Sequence, residues 1–445
     1  MKKKILILNP EKKVNYRISK DTSGGYGTGN DFGYSIVPKI LKYLLKKYSD
    51  WPPLFAGYTF SVLKNLGYEV TYSKNLNIEF SNFDLVIIIS SIVCCETELE
   101  TIKKLKNQNK KIVAIGPFAT NMPHLYISAG ATVIMGEPEF FFLENPNLDK
   151  SFEKEQVIFN NNFKLDDLPF PKWDLMIKNL ENTNKLFGNH KSIPILATRG
   201  CPYSCSRYCV YPLQQGKKIR QRNPKYIVDE MEYWKKEHNI SMFIFRDPVF
   251  SINRKHTIEF CNELINRNLN LRFVIETHLR ILDAELISLL KKAGVKGVKV
   301  GIESFDMDIL KQESRYTVNK DEQLKKIREI ENSDIQVSAM FIIGFPSDIH
   351  KSVEKTIEYA KLLNTSYAQF SVWTPYPGTP VFNDYQDKII VKEYEDFNQY
   401  KLIYKHKIFN QKKIKKYLNN AYSEYYSRFI WLYKYTKGYF LHKKL

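Results

Sequence analysis

Six apolar segments alternate with helical segments over residues 191–385, and this alternation restricts the fold more than any other feature. The strand-like segments are Ile193–Thr198, Met242–Arg246, Arg272–Thr277, Gly297–Ile302, Gln336–Gly344 and Tyr367–Val372. Helical periodicity separates them at Lys225–His238, Arg254–Arg267, Ala284–Ala293, Asp321–Asn332 and Ser352–Leu363. Six strand–helix units in series predict a curved parallel sheet, a partial form of the eight-unit barrel, with catalytic groups at the carboxyl ends of its strands.

Residues 1–150 contain a second alternating set. Strands are predicted at Lys4–Leu8, Val70–Tyr72, Leu85–Ser90, Lys111–Ile115 and Ala131–Met135, and helices at Pro53–Leu66 and Glu96–Gln108. Continuous apolar strands joined by helices are typical of a parallel sheet covered on both faces. We therefore expect an α/β chain with a doubly wound domain at 1–150, a linker at 151–190, the partial barrel at 191–385 and a basic, aromatic helical region at 386–445.

The loops after the strands of the first domain are its expected ligand site, because open parallel sheets bind ligands at that edge. Small and polar residues occupy these loops: Ser90, Ser91, Gly116, Pro117, Gly136 and Glu137. The glycine-rich stretch Gly24–Gly33 does not match the dinucleotide motif GxGxxG. It is either a phosphate loop or, as we favour, a flexible connector.

Charge and hydropathy exclude several classes of protein. The net charge of +19 is uneven, because twelve Lys and Arg residues face one acid, Glu424, between Lys401 and Leu445. Only this tail, and not the whole chain, is therefore patterned for an anionic partner. The longest apolar run, Leu85–Cys95, cannot cross about 30 Å of hydrocarbon, and the start of the chain lacks a signal-peptide pattern. We expect a cytoplasmic protein, with peripheral membrane contact left open.

Three of the six cysteines, Cys201, Cys205 and Cys209, lie within nine residues, directly after the first barrel strand. A spacing of four residues fits one helical stripe, in which the thiols would be small core residues. Gly200, Pro202 and Pro212 instead favour a loop. Without a secretory signal, clustered thiols in a loop indicate a metal site.

Zinc would require a fourth ligand at a characteristic spacing, and none is near this loop. Three thiolates can hold a [4Fe-4S] cluster whose fourth iron stays open to a small chelating molecule. The residues thus favour a cluster, with zinc and ordinary core thiols as the alternatives.

This loop resembles that of the radical S-adenosylmethionine (SAM) enzymes, whose hallmark is CxxxCxxC after the first barrel strand. The spacing here is CxxxCxxxC, with one additional residue between Cys205 and Cys209, and the aromatic residue before the last cysteine, Tyr208, is retained. The resemblance implies that Cys201, Cys205 and Cys209 are the cluster ligands and that the open iron binds SAM.

Three further segments resemble motifs of that family. Gly301–Ser304 (GIES) is similar to the motif that ends the fourth strand, Phe341–Pro346 to the fifth-strand motif beside adenine, and Thr374–Pro380 to a segment of the cobalamin-binding branch. The resemblance implies SAM contacts from Tyr208, Glu303, Ser304 and Gly344. Arg280 either pairs with the carboxylate of SAM or forms a structural ion pair with Glu276 or Glu303.

The first domain is similar to the cobalamin-binding domain of the same branch. Trp51–Leu54 resembles the start of its PPLG-type helix, and Gly136–Glu139 resembles its GEGE-type ending. The histidine-containing DxHxxG motif is absent, so the chain supplies no imidazole to cobalt from it. The resemblance implies cobalamin at Ser90, Ser91, Gly116, Pro117, Gly136 and Glu137.

Several other residues have two readings. Asp247, at a barrel strand end, is a ligand contact or a helix cap. Cys94, Cys95 and Cys261 are expected to be ordinary buried thiols rather than a redox pair or second cluster, and His278 a packing histidine.

The tail from Lys412 to Leu445 combines lysines with Tyr, Phe and Trp residues, including Tyr435, Tyr439 and Phe440. The aromatic spacing predicts a helix that docks on the barrel, and contact with anionic lipid is the alternative. RNA is a weaker choice because no recognised module is present.

The resemblance implies reductive cleavage of SAM and, with cobalamin, methylation of an unactivated carbon or phosphorus. Oxidative cyclisation, as in the anaerobic magnesium-protoporphyrin ester cyclase branch, and a non-catalytic cobalamin or metal carrier are the alternatives; methylthiolation of RNA would need more cysteines in the first domain. The expected partners are a small-molecule or lipid-like substrate and an electron donor such as flavodoxin or ferredoxin.

Overall fold

Two six-stranded parallel sheets organise the chain. The computed structural model describes residues 3–48, 51–148, 152, 156–158, 164–177, 191–433 and 436. Within these ranges the sequence forms α/β layers in which apolar strands lie beneath amphipathic helices, as the strand–helix alternation predicts.

The strands of the first sheet are β1 (Lys4–Leu8), β4 (Glu69–Ser73), β5 (Leu85–Ile89), β6 (Lys111–Ile115), β7 (Thr132–Met135) and β8 (Gln156–Ile158); the short strands β2 (Ile18–Ser19) and β3 (Thr28–Gly29) form a separate antiparallel ribbon. The order β4-β1-β5-β6-β7-β8 is that of a doubly wound sheet, and every neighbouring pair is parallel. β8 lies in the segment that the sequence assigns to a linker, so the sheet extends past residue 150.

The helices of this half are α1 (Ile36–Tyr48), α2 (Leu54–Asn65), α3 (Cys95–Lys106), α4 (Pro117–Asn121), α5 (Pro123–Ala129), α6 (Pro138–Glu144) and α7 (Trp173–Met176). α2 begins after Pro53 and is buried from Leu54 to Leu63, because α6 and Trp173 pack on it. α1 has no counterpart among the predicted helices.

The second sheet contains β9 (Ser192–Ile195), β12 (Met242–Phe245), β13 (Arg272–Glu276), β14 (Val295–Glu303), β15 (Gln336–Ile343) and β16 (Tyr367–Val372); β10 (Thr198–Arg199) and β11 (Arg220–Gln221) form a hairpin. Its order follows the chain, and all neighbours are parallel. This arrangement confirms the six predicted strand–helix units, with boundaries within one or two residues except at the end of β9.

The remaining helices are α8 (Tyr211–Gln215), α9 (Pro224–His238), α10 (Arg254–Arg267), α11 (Ala284–Ala293), α12 (Met307–Gln312), α13 (Lys320–Asn332), α14 (His350–Leu363), α15 (Pro380–Tyr385) and α16 (Gln411–Tyr426). Asn or Asp side chains cap α9, α10, α11, α12, α13 and α16 by accepting main-chain N–H bonds.

α16 docks on the edge of the second sheet, as the aromatic spacing predicts. The Tyr422 hydroxyl donates to the carbonyl of Phe370 and accepts from its N–H, and the Tyr426 hydroxyl does the same with Ala368. These hydroxyls replace a seventh strand along β16, whose main chain would otherwise be unpaired on that side. Tyr435, Tyr439 and Phe440 lie outside the described residues.

No helix of the described residues has the length and hydropathy that crossing a bilayer requires.

Candidate functional site

A cleft lies between the strand ends of the first sheet and the cysteine loop of the second. Four of the six residues predicted there line it: Gly116, Pro117, Gly136 and Glu137. The opposite wall comes from the second half of the chain: Leu196, Arg199, Tyr211, Gln214, Gln215 and Arg246. Leu54 and Phe55 at the start of α2 complete the floor. The cleft therefore brings together loops that are far apart in the sequence.

The glycine-rich stretch also contributes to this cleft, through Gly24 and Gly25. A Cβ on Gly25, where φ is +83°, would fall 2.6 Å from the side chain of Pro117. The stretch is closely packed between the first sheet and Tyr211, so the prediction of a flexible connector is wrong. The need for close approach, rather than flexibility, explains the glycine.

Arg199 ties the two walls of the cleft together. Its guanidinium pairs with Glu137 and, at 2.5 Å, with Glu139, while Arg220 pairs with Glu137 at 2.6 Å. Burial would raise the pKa of Glu137, but Arg199 and Arg220 lower it to about 2. Both oxygens of the Glu137 carboxylate are therefore paired with arginines, although Glu137 lines the cleft.

The two serines of the predicted cofactor set are not among the residues that line the cleft. Both are fully buried: Ser90 Oγ accepts the N–H of Ala119, and Ser91 Oγ donates to Glu98. Glu98 also pairs with Lys20 at 2.6 Å, with both side chains fully buried. These contacts hold the β5 loop in place and give both serines a structural role.

The cysteine loop lies directly beside the cleft, since Arg199 precedes it and Tyr211 follows it. Cys201 and Cys205 are buried, and Cys209 is partly buried. Burial is the largest cause that raises the pKa of all three thiols. Cys205 raises the pKa of Cys201 further, and Cys205 and Cys201 raise that of Cys209, whereas Arg315 opposes the shift at Cys205. Holding them as thiolates thus requires compensating positive charge.

Among the described residues, no three His, Cys, Asp or Glu side chains converge closely enough to hold one metal ion. A [4Fe-4S] cluster takes one thiolate on each of three different irons, so its ligands stand farther apart than those of a single ion. The assignment of Cys201, Cys205 and Cys209 as cluster ligands stays a prediction.

Arg315 is the residue of this site that the sequence did not reveal. Its guanidinium lies 3.9 Å from the Cys205 sulfur, 3.0 Å from the Gly301 carbonyl oxygen and 3.3 Å from Glu303 Oε1. A Cβ on Gly301 would fall 2.2 Å from Glu303 Oε1, so glycine makes room for the pair. Arg315 follows α12 in a loop without a motif, so only the fold could identify it.

Two of the predicted SAM contacts, Glu303 and Tyr208, lie near this arginine. Glu303 has φ +67° and a pKa that burial raises and Arg315 opposes. The Tyr208 ring packs edge-on against Phe345, directly after Gly344 at the end of β15. Left-handed backbone at Glu303, a residue other than glycine, is strain of the kind that functional sites retain.

Ser304 and Gly344 bond to the protein itself. Ser304 Oγ accepts the N–H of Asp306, which shapes the turn before α12, and the Gly344 carbonyl accepts the Tyr404 hydroxyl at 2.8 Å.

Arg280 is not paired with Glu276 or Glu303 and instead stacks on the ring of Tyr316, 4.6 Å from its centroid. It is exposed, whereas Arg315 holds the position beside Glu303 that the sequence offered to Arg280. His278 is buried and bonds to the Tyr316 carbonyl, as expected of a packing histidine.

Asp247 is neither a helix cap nor a residue of the cleft. Its fully buried carboxylate accepts the N–H groups of Ala197 and Thr198, so it fixes the main chain just before the cysteine loop. Burial raises the pKa of Asp247 to about 7.

Cys94, Cys95 and Cys261 are buried free thiols whose pKa values are raised by burial. This agrees with the expectation of structural cysteines.

The inner face of the second sheet carries a polar row. Glu276, Lys299, Ser338 and Tyr367 are successive neighbours across β13, β14, β15 and β16. The residues that alternate with them, such as Val300 and Ala339, belong to the core beneath the helices. The Lys299 ammonium has no hydrogen bond or ion pair among the described residues, and burial lowers its pKa to about 8.

Comparison with known proteins adds to this geometry. Residues 195–360 match the radical SAM superfamily. The chain is 25% identical over 413 residues to an uncharacterized methyltransferase of Pyrococcus horikoshii, covering 85% of this chain and 88% of that protein. It is 25% identical to bacteriochlorophyllide d C-12(1)-methyltransferase of Chlorobaculum tepidum, covering 76% and 72%.

A third relative is the anaerobic magnesium-protoporphyrin IX monomethyl ester cyclase of Cereibacter sphaeroides, 32% identical over 248 residues, or 54% of this chain. The match spans only 39% of the cyclase. It therefore relates part of each protein and not the whole.

Two solved structures share the fold. The radical SAM methyltransferase TsrM of Kitasatospora setae, with cobalamin and a [4Fe-4S] cluster bound, has a TM-score of 0.62 at 17% identity, covering 87% of this chain and 78% of that chain. The cobalamin-dependent radical SAM enzyme OxsB has a TM-score of 0.59 at 13% identity, covering 93% and 56%. The chain thus carries a radical SAM domain at residues 195–360, and its homologues include magnesium-protoporphyrin ester cyclases and bacteriochlorophyllide methyltransferases.

Proposed function

We propose that this chain is a cobalamin-dependent radical SAM methyltransferase acting on an unactivated carbon or phosphorus centre. One observation carries the proposal: the residues on both sides of the cysteine loop, Arg199 and Tyr211, line the same cleft as Gly116 and Gly136 of the first sheet. The loop that would hold a cluster and the loops that would hold a corrinoid therefore border one cleft.

A [4Fe-4S] cluster, when bound, supplies the electron that cleaves SAM, and cobalamin supplies the methyl group. Cys201, Cys205 and Cys209 would hold the cluster through thiolates. Arg315, beside Cys205, supplies the positive charge that offsets the burial cost of those thiolates. Glu303 and Tyr208 border the same position and would orient SAM.

The cleft suits a large, amide-bearing cofactor. Glu139 Oε2 is buried on its wall without a hydrogen-bond partner, so it can accept from a ligand N–H group. Gly116 and Gly136 expose main chain rather than side chains to the space. No histidine lines the described cleft, so the chain offers no imidazole to cobalt there.

The polar row on the inner face of the second sheet would contact the substrate, a small or lipid-like molecule. Lys299 and Ser338 lie on the face opposite the core, where a substrate can be oriented away from water. An electron donor such as flavodoxin or ferredoxin would reduce the cluster.

Anaerobic reconstitution with iron, sulfide and hydroxocobalamin tests the proposal. We expect a cluster absorbance, a bound corrinoid that survives gel filtration, and 5′-deoxyadenosine or S-adenosylhomocysteine on addition of SAM and dithionite. Cys205→Ala should lose the cluster and SAM cleavage, whereas Cys261→Ala, a matched change of a buried thiol far from the loop, should retain both. Cleavage of SAM by the Cys205→Ala protein would refute the proposal.

Oxidative cyclisation is the second candidate, and the 32% identity to the cyclase over 248 residues favours it. Both reactions need the cysteine loop, but methylation alone transfers the labelled methyl group of SAM to the product. A corrinoid or metal carrier without catalysis would retain the cleft and show no SAM cleavage in the same assay.

A further inference from the structure

Exposed apolar side chains are concentrated in two short segments of the chain. Of the 17 large apolar residues that are exposed in the described structure, eight lie in two segments: Tyr34, Ile36, Ile40, Tyr43, Phe429, Ile430, Leu432 and Tyr433. Single exposed apolar residues are ordinary on protein surfaces. A cluster of exposed apolar residues is unusual on a protein surface, and it marks an interaction surface.

α1 supplies the first segment as a continuous stripe. Ile36, Ile40 and Tyr43 recur at intervals of four and three residues and are 76%, 52% and 62% exposed. The opposite side of the helix, with Val37 and Leu41, packs against the main core. α1 is thus apolar on both sides, although only one side has a partner within the described residues.

Basic residues surround this stripe. Four lysines and no acidic residue occur in α1, and Lys39 and Lys47 are exposed beside the stripe. Exposed lysines continue on the neighbouring α16: Lys412, Lys413, Lys415 and Lys416. Asp31 is the acid that pairs with this surface, through Lys42 and Lys415. The excess of positive charge favours an anionic partner.

The second apolar segment continues from α16, which packs on α1. Ser35 and Ser423 join the two helices through their hydroxyls, 2.6 Å apart, and Asn419 accepts the N–H of Tyr34. Beyond this contact, Phe429 and Ile430 are 81% and 62% exposed. Trp431, the next residue, is buried and donates to the Ser366 carbonyl, which anchors the segment.

We propose that the exposed stripe of α1, together with residues 429–433, docks on the surface of an anionic phospholipid bilayer. A helix with apolar side chains flanked by lysines can bury those side chains among the lipids while its ammonium groups meet the phosphates. An acidic protein would match the lysines but would have to supply a deep apolar groove for side chains as exposed as Ile36 and Phe429. The proposal does not depend on the radical chemistry.

Sedimentation of the full-length protein with vesicles tests the proposal. Phosphatidylcholine vesicles with about one-third phosphatidylglycerol should bind the protein, and pure phosphatidylcholine vesicles should bind it at least about tenfold less. Raising the salt to about 1 M should weaken the binding, because lysines supply part of the attraction.

Variants locate the contact. Ile36→Ser/Ile40→Ser/Tyr43→Ser and, separately, Phe429→Ser/Ile430→Ser should each reduce partitioning into anionic vesicles at least about tenfold. Ile265→Ser/Met307→Ser/Ile390→Ser, at three exposed apolar sites elsewhere, should bind like the parent. Because the substituted side chains are exposed, each variant should fold like the parent. Circular dichroism and urea unfolding check this.

Three outcomes would overturn the proposal. Absence of binding to anionic vesicles would exclude a lipid surface. Binding that the α1 variant retains would place the contact elsewhere. Loss of a dimer in light scattering on α1 substitution, without a change in vesicle binding, would identify the surface as an interface between two copies.

Discussion

Arg199, two residues before Cys201, pairs with Glu139 at the start of α6, on the opposite side of the cleft, at 2.5 Å. The pair is nearly inaccessible, with 6% and 1% of the two side chains exposed. It fixes the cysteine loop relative to the strand ends of the first sheet. A cluster and a corrinoid held by these two loops would therefore keep one relative position.

Arg199→Met should destabilise the protein by about 3–5 kcal/mol, because Glu139 would stay buried without its cationic partner. Urea unfolding measures this. Arg254→Met is the matched control: Arg254 also pairs with two acids, Asp283 and Glu285, but is 39% exposed, so its loss should cost less than about 1 kcal/mol. Equal effects of the two substitutions on the free energy of unfolding would show that the buried pair stabilises the fold no more than the exposed pair does.

The ion pairs of Glu137 with Arg199 and Arg220 predict that the folded protein loses stability in acid. The folded pKa of Glu137 is about 2 against an ordinary value of 4.5, so its contribution is complete above about pH 4.5 and is lost as the pH falls through 2. Glu137→Gln should reduce the loss of stability over this interval. An unchanged acid profile would contradict the assignment.

Arg315→Gln should reduce iron retention after reconstitution by severalfold, since the thiols would lose the neighbouring positive charge and Glu303 its partner. Iron per chain and cluster absorbance measure the effect. Arg280→Gln is the control, because Arg280 lies near the same loop but stacks on Tyr316. Full iron content in the Arg315→Gln protein would remove its assigned role.

The fold was largely predictable because each strand of the two sheets is a short apolar run between turn signals. Tyr367–Val372 and Lys111–Ile115 were predicted to the residue. β8 was missed because three residues of strand, Gln156–Ile158, carry too little pattern to distinguish them from a loop. α1 was missed because its apolar residues face both the core and the solvent.

The site was less predictable than the fold. The cysteines and Gly301–Ser304 were found because their identities and spacings are chemical signals in themselves. Arg315 and Arg199 belong to the site because the fold brings each guanidinium next to a carboxylate that is not its neighbour in the sequence. A sequence does not show which arginine reaches a given carboxylate. For the same reason the sequence did not show that Ser91, at the end of a strand, donates its hydroxyl to Glu98.

Asp247→Asn should change how stability depends on pH. Burial raises the folded pKa of Asp247 to about 7 from 3.8, so the folded state holds the proton more tightly than the unfolded chain. The contribution of this group is complete below about pH 3.8 and is lost as the pH rises through about 7. Unfolding free energies at pH 4 and pH 7 should differ less in the variant than in the parent. A parallel shift of both values would contradict the prediction.

Tyr422→Phe should cost about 1–3 kcal/mol, because the buried N–H and carbonyl of Phe370 would lose the hydroxyl that serves both. Tyr233→Phe, at a residue 41% exposed, is the control and should change the free energy of unfolding by less than about 0.5 kcal/mol. Similar stabilities of both variants would show that water or another group replaces the hydroxyl along β16.

Lys299→Met should stabilise the folded protein at pH 7 while lowering turnover. Burial lowers the folded pKa of Lys299 to about 8 from 10.5, so the unfolded chain binds its proton more tightly, and the parent should gain stability as the pH rises from about 8 to 10.5. The variant should lack this gain. A side chain retained at such a cost is expected where it serves ligand binding rather than the fold. Urea unfolding across this pH range measures the effect, and a destabilised Lys299→Met protein at pH 7 would instead make Lys299 a structural residue of the barrel.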